Sequence, residues 1–147
     1  MKPHSLPYVD THTAVLMAGP DAVWRAIGEV MDRSSDGAAR YAELVGCADR
    51  KASGPRPFAE GSTIPGFTVT TVVPGRELVL TGRHRFARYA LVFRLEQHGP
   101  GRTRVSAETR AAFPGWSGML YRLLVVSSGG HAGGMRRLLR AIGRRAK

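Results

Sequence analysis

Tyr89-Ala90-Leu91-Val92-Phe93-Arg94-Leu95-Glu96, then Gly99-Pro100-Gly101, then Arg102-Thr103-Arg104-Val105-Ser106-Ala107-Glu108-Thr109-Arg110-Ala111-Ala112-Phe113 is the stretch that decides the fold. The first run has period two. Tyr89, Leu91, Phe93 and Leu95 fall on one side; Ala90, Val92, Arg94 and Glu96 fall on the other. The second run repeats the pattern, with Thr103, Val105, Ala107, Thr109, Ala111 and Phe113 set against Arg102, Arg104, Ser106, Glu108 and Arg110. Successive strand side chains point to opposite faces. The spacing therefore predicts two antiparallel strands around a Gly-Pro-Gly turn, one face packed and the other solvated.

Working upstream, residues 63 to 73 are rich in Thr, Val, Ile and Phe and read as a strand. Pro74-Gly75 is a turn, and Glu77 to Arg85 is a further strand, with Leu78, Leu80, Gly82 and His84 on one face. Residues 51 to 61 carry Pro55, Pro57 and several small residues, so they read as a loop. A short helix is expected near Gly37 to Leu44 and a strand from Leu44 to Asp49. Val23, Ile27, Val30 and Met31 recur at helical spacing after Pro20 and Asp21, which suit a first helical turn. Residues 11 to 17 read as the first strand. Downstream, Pro114-Gly115 ends the last strand and the period changes to 3.6. Leu120, Leu124, Ser127, His131, Met135, Leu138 and Ile142 fall on one face of an expected helix of nearly 30 residues, with arginines at its C-terminal end.

The length of 147 residues fits a single domain, 1–147, with no internal repeat. A hydrophobic fraction of 43% excludes a disordered chain. Cys47 is the one cysteine, so no internal disulfide forms, which fits a reducing compartment. The N-terminal residues lack the apolar run of a signal peptide, and no run approaches the ~20 residues of a membrane-spanning helix. A cytoplasmic protein is expected. Net charge is +11, and 19 of the 22 basic residues are arginine. Residues 136 to 147 hold Arg136, Arg137, Arg140, Arg144, Arg145 and Lys147 with no acid. That balance raises nucleic acid and anionic membrane as partners. No aromatic residue interleaves these arginines to stack bases, and a solvated helix end is the favoured reading of them.

The order strand, helix, helix, antiparallel strands, long C-terminal helix is an α+β, helix-grip arrangement. Here the chain resembles the SRPBCC superfamily, which includes START domains, birch-pollen-allergen-like proteins and the polyketide cyclase/dehydrase and lipid-transport group. Ala18-Gly19-Pro20-Asp21-Ala22-Val23-Trp24 is similar to the family's opening of its first helix. Gly61 with the strand carrying Phe67, Pro74-Gly75-Arg76-Glu77-Leu78, and Gly101-Arg102-Thr103-Arg104-Val105 are similar to its later strand entries. The likeness spans roughly residues 10 to 145. It implies a curved antiparallel sheet wrapped around the long C-terminal helix, with two short helices near the N-terminus. It further implies a cavity for an apolar small molecule between sheet and helix, and it supplies no universal catalytic residue, because fold does not fix function.

On that resemblance the expected cavity residues are Phe67, Leu80, His84, Tyr89, Leu91, Phe93, Thr109, Trp116, Leu120, Leu124, Ser127, His131 and Met135. His131, inside Gly129-Gly130-His131-Ala132-Gly133-Gly134, is the candidate general acid or base; a purely structural histidine is the competing reading. The four glycines read as a kink or as close packing, since each weakens a helix. Gly115-Trp116-Ser117-Gly118-Met119 fails as a nucleophile elbow, because Met119 stands where glycine is needed. His4, His12, His84, His98 and His131 show no ligand spacing, so neither metal nor cofactor is expected. The leading expectation is binding or transport of a lipid-like or polycyclic small molecule by a monomer or homodimer. The alternatives are a polyketide cyclase or aromatase using the same cavity, and a basic module for nucleic acid or anionic membrane.

Overall fold

The computed structural model describes residues 6–33, 52–127 and 129–147. Its strands are β1 (Tyr8–Leu16), β2 (Thr63–Ile64), β3 (Phe67–Val73), β4 (Glu77–Arg83), β5 (Arg88–Gln97) and β6 (Thr103–Ala112). They form one antiparallel sheet in the order β1-β6-β5-β4-β3-β2. Helix α1 (Pro20–Arg33) follows β1. Helix α2 (Gly115–Arg122), a π-helical turn (Leu123–Ser127) and helix α3 (Gly130–Ala146) follow β6. This is the expected α+β architecture, a curved sheet gripping a C-terminal helix. The helix expected at 37–44 and the strand at 44–49 lie outside the described residues.

The two decisive runs pair along their whole length, from Arg88↔Ala112 to Gln97↔Thr103. Register stacks inward-facing residues into rungs. One rung is His12, Ala107, Phe93 and Leu78; the next is Asp10, Thr109, Leu91 and Leu80. On the inner face, Val69, Leu78, Leu80, Phe93, Val105 and Ala107 pack against Val23, Ala26 and Ile27 of α1 and Met135, Leu139 and Ile142 of α3. The i, i+3, i+4 spacing of those helical residues explains why each helix turns one stripe to the sheet. At the turn into α1, the buried Thr103 hydroxyl donates to the Ala18 carbonyl at 2.8 Å.

Three local expectations are corrected. Residues 63 to 73 are not one strand, because Pro65-Gly66 turns the chain between β2 and β3. The outer face is not simply solvated, since Val79, Ala90 and Val92 are buried there. A charged ladder runs over that face: Arg94 donates to Glu77 and Glu108, and Arg110 donates to Glu108 at 2.8 Å. Long side chains shield apolar surface with their stems while their charges pair at the top. Finally, the C-terminal helix is interrupted. Gly129 adopts φ 82°, a left-handed conformation that only glycine takes without strain, and the π-helical turn precedes it.

Candidate functional site

From the Leu91–Thr109 rung onward the inner face opens into a cavity of ≈560 Å³. Its floor is β1, β5 and β6, joined by Phe67 at the start of β3 and by Pro65 and Gly66 of the β2–β3 turn. Its walls are the end of α1 (Val30, Met31), the segment carrying Tyr121, Val125 and Val126, and one face of α3. Small residues on the inner surface, including Gly66, Ala111, Gly134 and Ala141, leave this space unfilled.

One wall is an aromatic corner. Phe67 meets Tyr89 edge-on at 5.3 Å between ring centroids, and His84 meets Tyr121 edge-on at 4.8 Å. Phe86 stacks on Tyr121 at 5.5 Å. The Tyr89 hydroxyl donates to the Gly66 carbonyl, fixing the ring across the strand end. Gly82 makes that possible: a Cβ there would lie 2.1 Å from the Gly66 oxygen and 2.6 Å from the Tyr89 ring. His84 Nδ1 accepts the Phe86 N–H at 3.0 Å, so in the neutral ring Nε2 carries the proton. Burial pushes the His84 pKa down, which also keeps this ring neutral.

The second feature is polar. His131 Nε2 lies 3.1 Å from the Thr109 hydroxyl oxygen and 3.2 Å from Asp10 Oδ1. The other carboxylate oxygen of Asp10 faces His12 Nε2 at 3.1 Å. A carboxylate only accepts, so Asp10 orients both imidazoles with their Nε2–H groups toward it. In the neutral His131 ring this leaves Nδ1 as the basic nitrogen. The backbone reason for the cluster is a bulge in β1 between Tyr8 and Asp10, which sets Asp10 opposite Thr109 while Val9 also reaches the cavity. Among the described residues, no group of three or more His, Cys, Asp or Glu is arranged to hold a metal ion.

Of the residues singled out in the sequence, Phe67, His84, Tyr89, Leu91, Thr109, His131 and Met135 line the cavity. Leu80 and Phe93 do not. They are fully buried on the rungs where the helices seat against the sheet. Trp116, Leu120 and Leu124 are also misplaced by the straight-helix expectation: they are 88%, 60% and 67% exposed. The π-helical turn adds a residue to one turn and rotates the preceding stripe away from the face of α3. Ser127 ends that turn, and its side chain lies outside the described residues. Sequence reasoning missed Asp10 and His12. Both share the inward face of β1 with Ala14 and Leu16, so an acid and a histidine in phase with an apolar strand face were the available signal.

No family model matches the chain, and no curated protein matches it in sequence. Solved structures do match. Mll3558 from Rhizobium loti is 19% identical with a TM-score of 0.59, over 92% of this chain and 94% of that one. DynU16, a protein in the dynemicin biosynthetic locus, is 16% identical with a TM-score of 0.51; 93% of this chain aligns with 46% of DynU16. PFC0360w, an HSP90 activator from Plasmodium falciparum, is 10% identical with a TM-score of 0.52, over 88% and 94%. At these identities the likeness is one of fold. The differing descriptions of these proteins fit a scaffold that carries several functions.

Proposed function

We propose that the protein binds an apolar small molecule, lipid-like or polycyclic and aromatic, in the cavity between the sheet and its C-terminal helices. The observation that carries this reading is the ≈560 Å³ largely apolar cavity with a Phe67–Tyr89–His84–Tyr121 corner, Thr109 and an Asp10-oriented His131 on its lining, and Arg137 also reaching it. Cavities of this size suit small ligands; apolar walls supply affinity, and a few polar groups set orientation. Edge-on aromatic walls favour a flat, unsaturated ligand over a flexible chain. Mass spectrometry of the purified protein, native and then denatured, tests the proposal alongside titration with polycyclic phenols, sterols and fatty acids. A retained apolar molecule or saturable 1:1 binding is expected. An empty protein that binds none of the three classes would overturn it.

A second reading rests on the Asp10–His131 contact. A histidine oriented by a carboxylate, with its other nitrogen basic, is equipped for general-base catalysis. In a cyclase or aromatase of polyketide type, His131 Nδ1 removes a proton from a carbon between two carbonyls. The resulting carbanion bonds to the carbon of a further carbonyl, whose oxygen takes up a proton; the hydroxyl so formed then leaves as water with the remaining hydrogen of the attacking carbon, and a C=C double bond forms between the two carbons. DynU16, similar in fold, belongs to a biosynthetic locus, which fits a protein that acts on a small molecule under construction. Loss of turnover with retained binding in His131→Ala supports the catalytic role; full turnover in that variant ends it.

A further inference from the structure

Helix α2 and the π-helical turn are apolar on both sides. From Trp116 to Val126 the only charge is Arg122. One side faces inward: Gly118 is buried, and Tyr121 and Val125 line the cavity. The other side carries Trp116, Met119, Leu120, Leu123 and Leu124, at the i, i+3, i+4, i+7, i+8 spacing of a single helical stripe. All five are exposed, Trp116 at 88% and the other four between 59% and 67%. Scattered apolar side chains on a surface are ordinary, but a contiguous stripe of five large ones marks a surface that meets another apolar phase.

The charges around the stripe indicate which phase. No Asp or Glu occurs after Glu108. The β4–β5 connection, Arg83-His84-Arg85-Phe86-Ala87-Arg88, exposes three arginines and carries no acid. It is held directly against α2, because Phe86 stacks on Tyr121 and a Cβ at Gly118 would lie 3.0 Å from the Phe86 carbonyl oxygen. Arg122 follows Tyr121 on the helix itself, its guanidinium over the Phe113 ring. Pairing two copies of this face would bring like charges together. A nucleic acid would find guanidinium groups but a mostly aliphatic stripe, with Trp116 the one ring to stack a base. A bilayer with anionic headgroups satisfies both features, taking the apolar stripe at its acyl boundary and the arginines at its surface. Among the described residues no helix is long and apolar enough to cross a membrane, which leaves lying in the interface as the mode.

We infer that the Trp116–Leu124 stripe, rimmed by Arg85, Arg88 and Arg122, is a docking surface for an anionic lipid bilayer. The inference stands on the exposed face and its charge, independently of what the cavity holds. Trp116 is its natural reporter. Vesicles of phosphatidylcholine alone and of phosphatidylcholine with phosphatidylglycerol, 3:1, are mixed with the full chain at low and physiological salt. The expected result is co-sedimentation with the anionic vesicles only, weakening with salt. It is accompanied by a blue shift of tryptophan emission that Trp116→Phe abolishes. Leu120→Glu/Leu124→Glu, two exposed positions, should lower vesicle affinity at least tenfold with an unchanged circular dichroism spectrum. Three outcomes overturn the inference. The first is no vesicle binding. The second is vesicle binding that the double variant leaves intact, which would be charge attraction alone. The third is a dimer in sedimentation equilibrium that the double variant dissociates while vesicles go unbound, which would assign the stripe to a second copy of the chain.

Discussion

Replacing Gly82 with alanine discriminates between two opposite expectations. Glycine within a strand is unfavourable, so propensity alone gives Gly82→Ala a gain of roughly 0.5–1 kcal/mol. The packing gives a loss. The new Cβ would fall 2.1 Å from the Gly66 carbonyl oxygen and 2.6 and 2.8 Å from two Tyr89 ring atoms. The ring can swing aside only by giving up its hydroxyl's bond to that same carbonyl, and the carbonyl belongs to the backbone of the β2–β3 turn. Overpacking of this kind costs about 1–3 kcal/mol, and the lost hydrogen bond adds about 1 kcal/mol. The expected destabilisation is therefore about 2–4 kcal/mol, read as a fall in Tm of roughly 4–16 °C for a chain of this size. Tyr89→Phe removes the hydroxyl alone and should cost only about 1 kcal/mol. Thermal and urea unfolding of both variants separate crowding from the hydrogen bond. If Gly82→Ala is neutral or stabilising, or costs no more than Tyr89→Phe, the close approach of β4 to the β2–β3 turn is wrong.

Thr103→Val keeps the shape of a fully buried side chain but leaves the Ala18 carbonyl without its hydroxyl donor; a loss of about 1–3 kcal/mol in urea unfolding is expected. Stability should fall in two acid steps in a Tm series from pH 7.5 to 3.5. Burial lowers the His84 pKa, so the unfolded chain takes up that proton first and stability drops as pH falls below the ordinary value of 6.5; His84→Gln should remove this step. Burial alone would raise Glu108, but the Arg110 hydrogen bond, the charges of Arg94 and Arg110 and the Arg94 hydrogen bond outweigh it and lower its pKa. Its contribution is complete above 4.5 and is lost below, a step absent in Glu108→Gln. Gly134→Leu fills space that a Cβ meets nothing in within 4 Å and improves helix propensity by roughly 0.5–1 kcal/mol, so Tm should rise while binding of the cavity ligand falls at least tenfold.

What the sequence made legible follows from periodicity. The alternation in Tyr89–Glu96 and Arg102–Phe113 fixed two strands and their inward faces, and that alone aimed Tyr89, Leu91 and Thr109 at the side where the cavity lies. Period two does not say how far along a face the helices reach. Leu80 and Phe93 obey the same alternation as Leu91 and Tyr89, yet the former are covered by the packed core, while Leu91, the direct partner of Leu80, already lines the cavity. Helical periodicity has the converse weakness, because phase is lost at any irregular turn. Leu120 and Leu124 are in step with Met135 and Ile142 in a straight helix. The π-helical turn and Gly129 break that step, so residues that read as core are bare. Asp10 was hidden by a boundary: β1 starts at Tyr8, before the strand read from residue 11, and a bulge then sets the acid opposite Thr109.

The same elements that exposed the stripe also made the cavity. A straight helix from Trp116 onward would turn Leu120 and Leu124 toward the sheet and fill the space over Ala111 and Tyr89 with side chains. Interrupting it at Gly129 and placing Gly134 and Ala141 over the sheet exchanges that packing for an opening. Each glycine in the helical segment costs roughly 1 kcal/mol in propensity, and an unfilled apolar space costs more, so a chain under selection for stability alone would not keep them. A cavity built this way, with an oriented histidine on its wall and an apolar helix face turned outward beside it, is what the proposed binding function requires, and its cost in stability is the reason to test that proposal first.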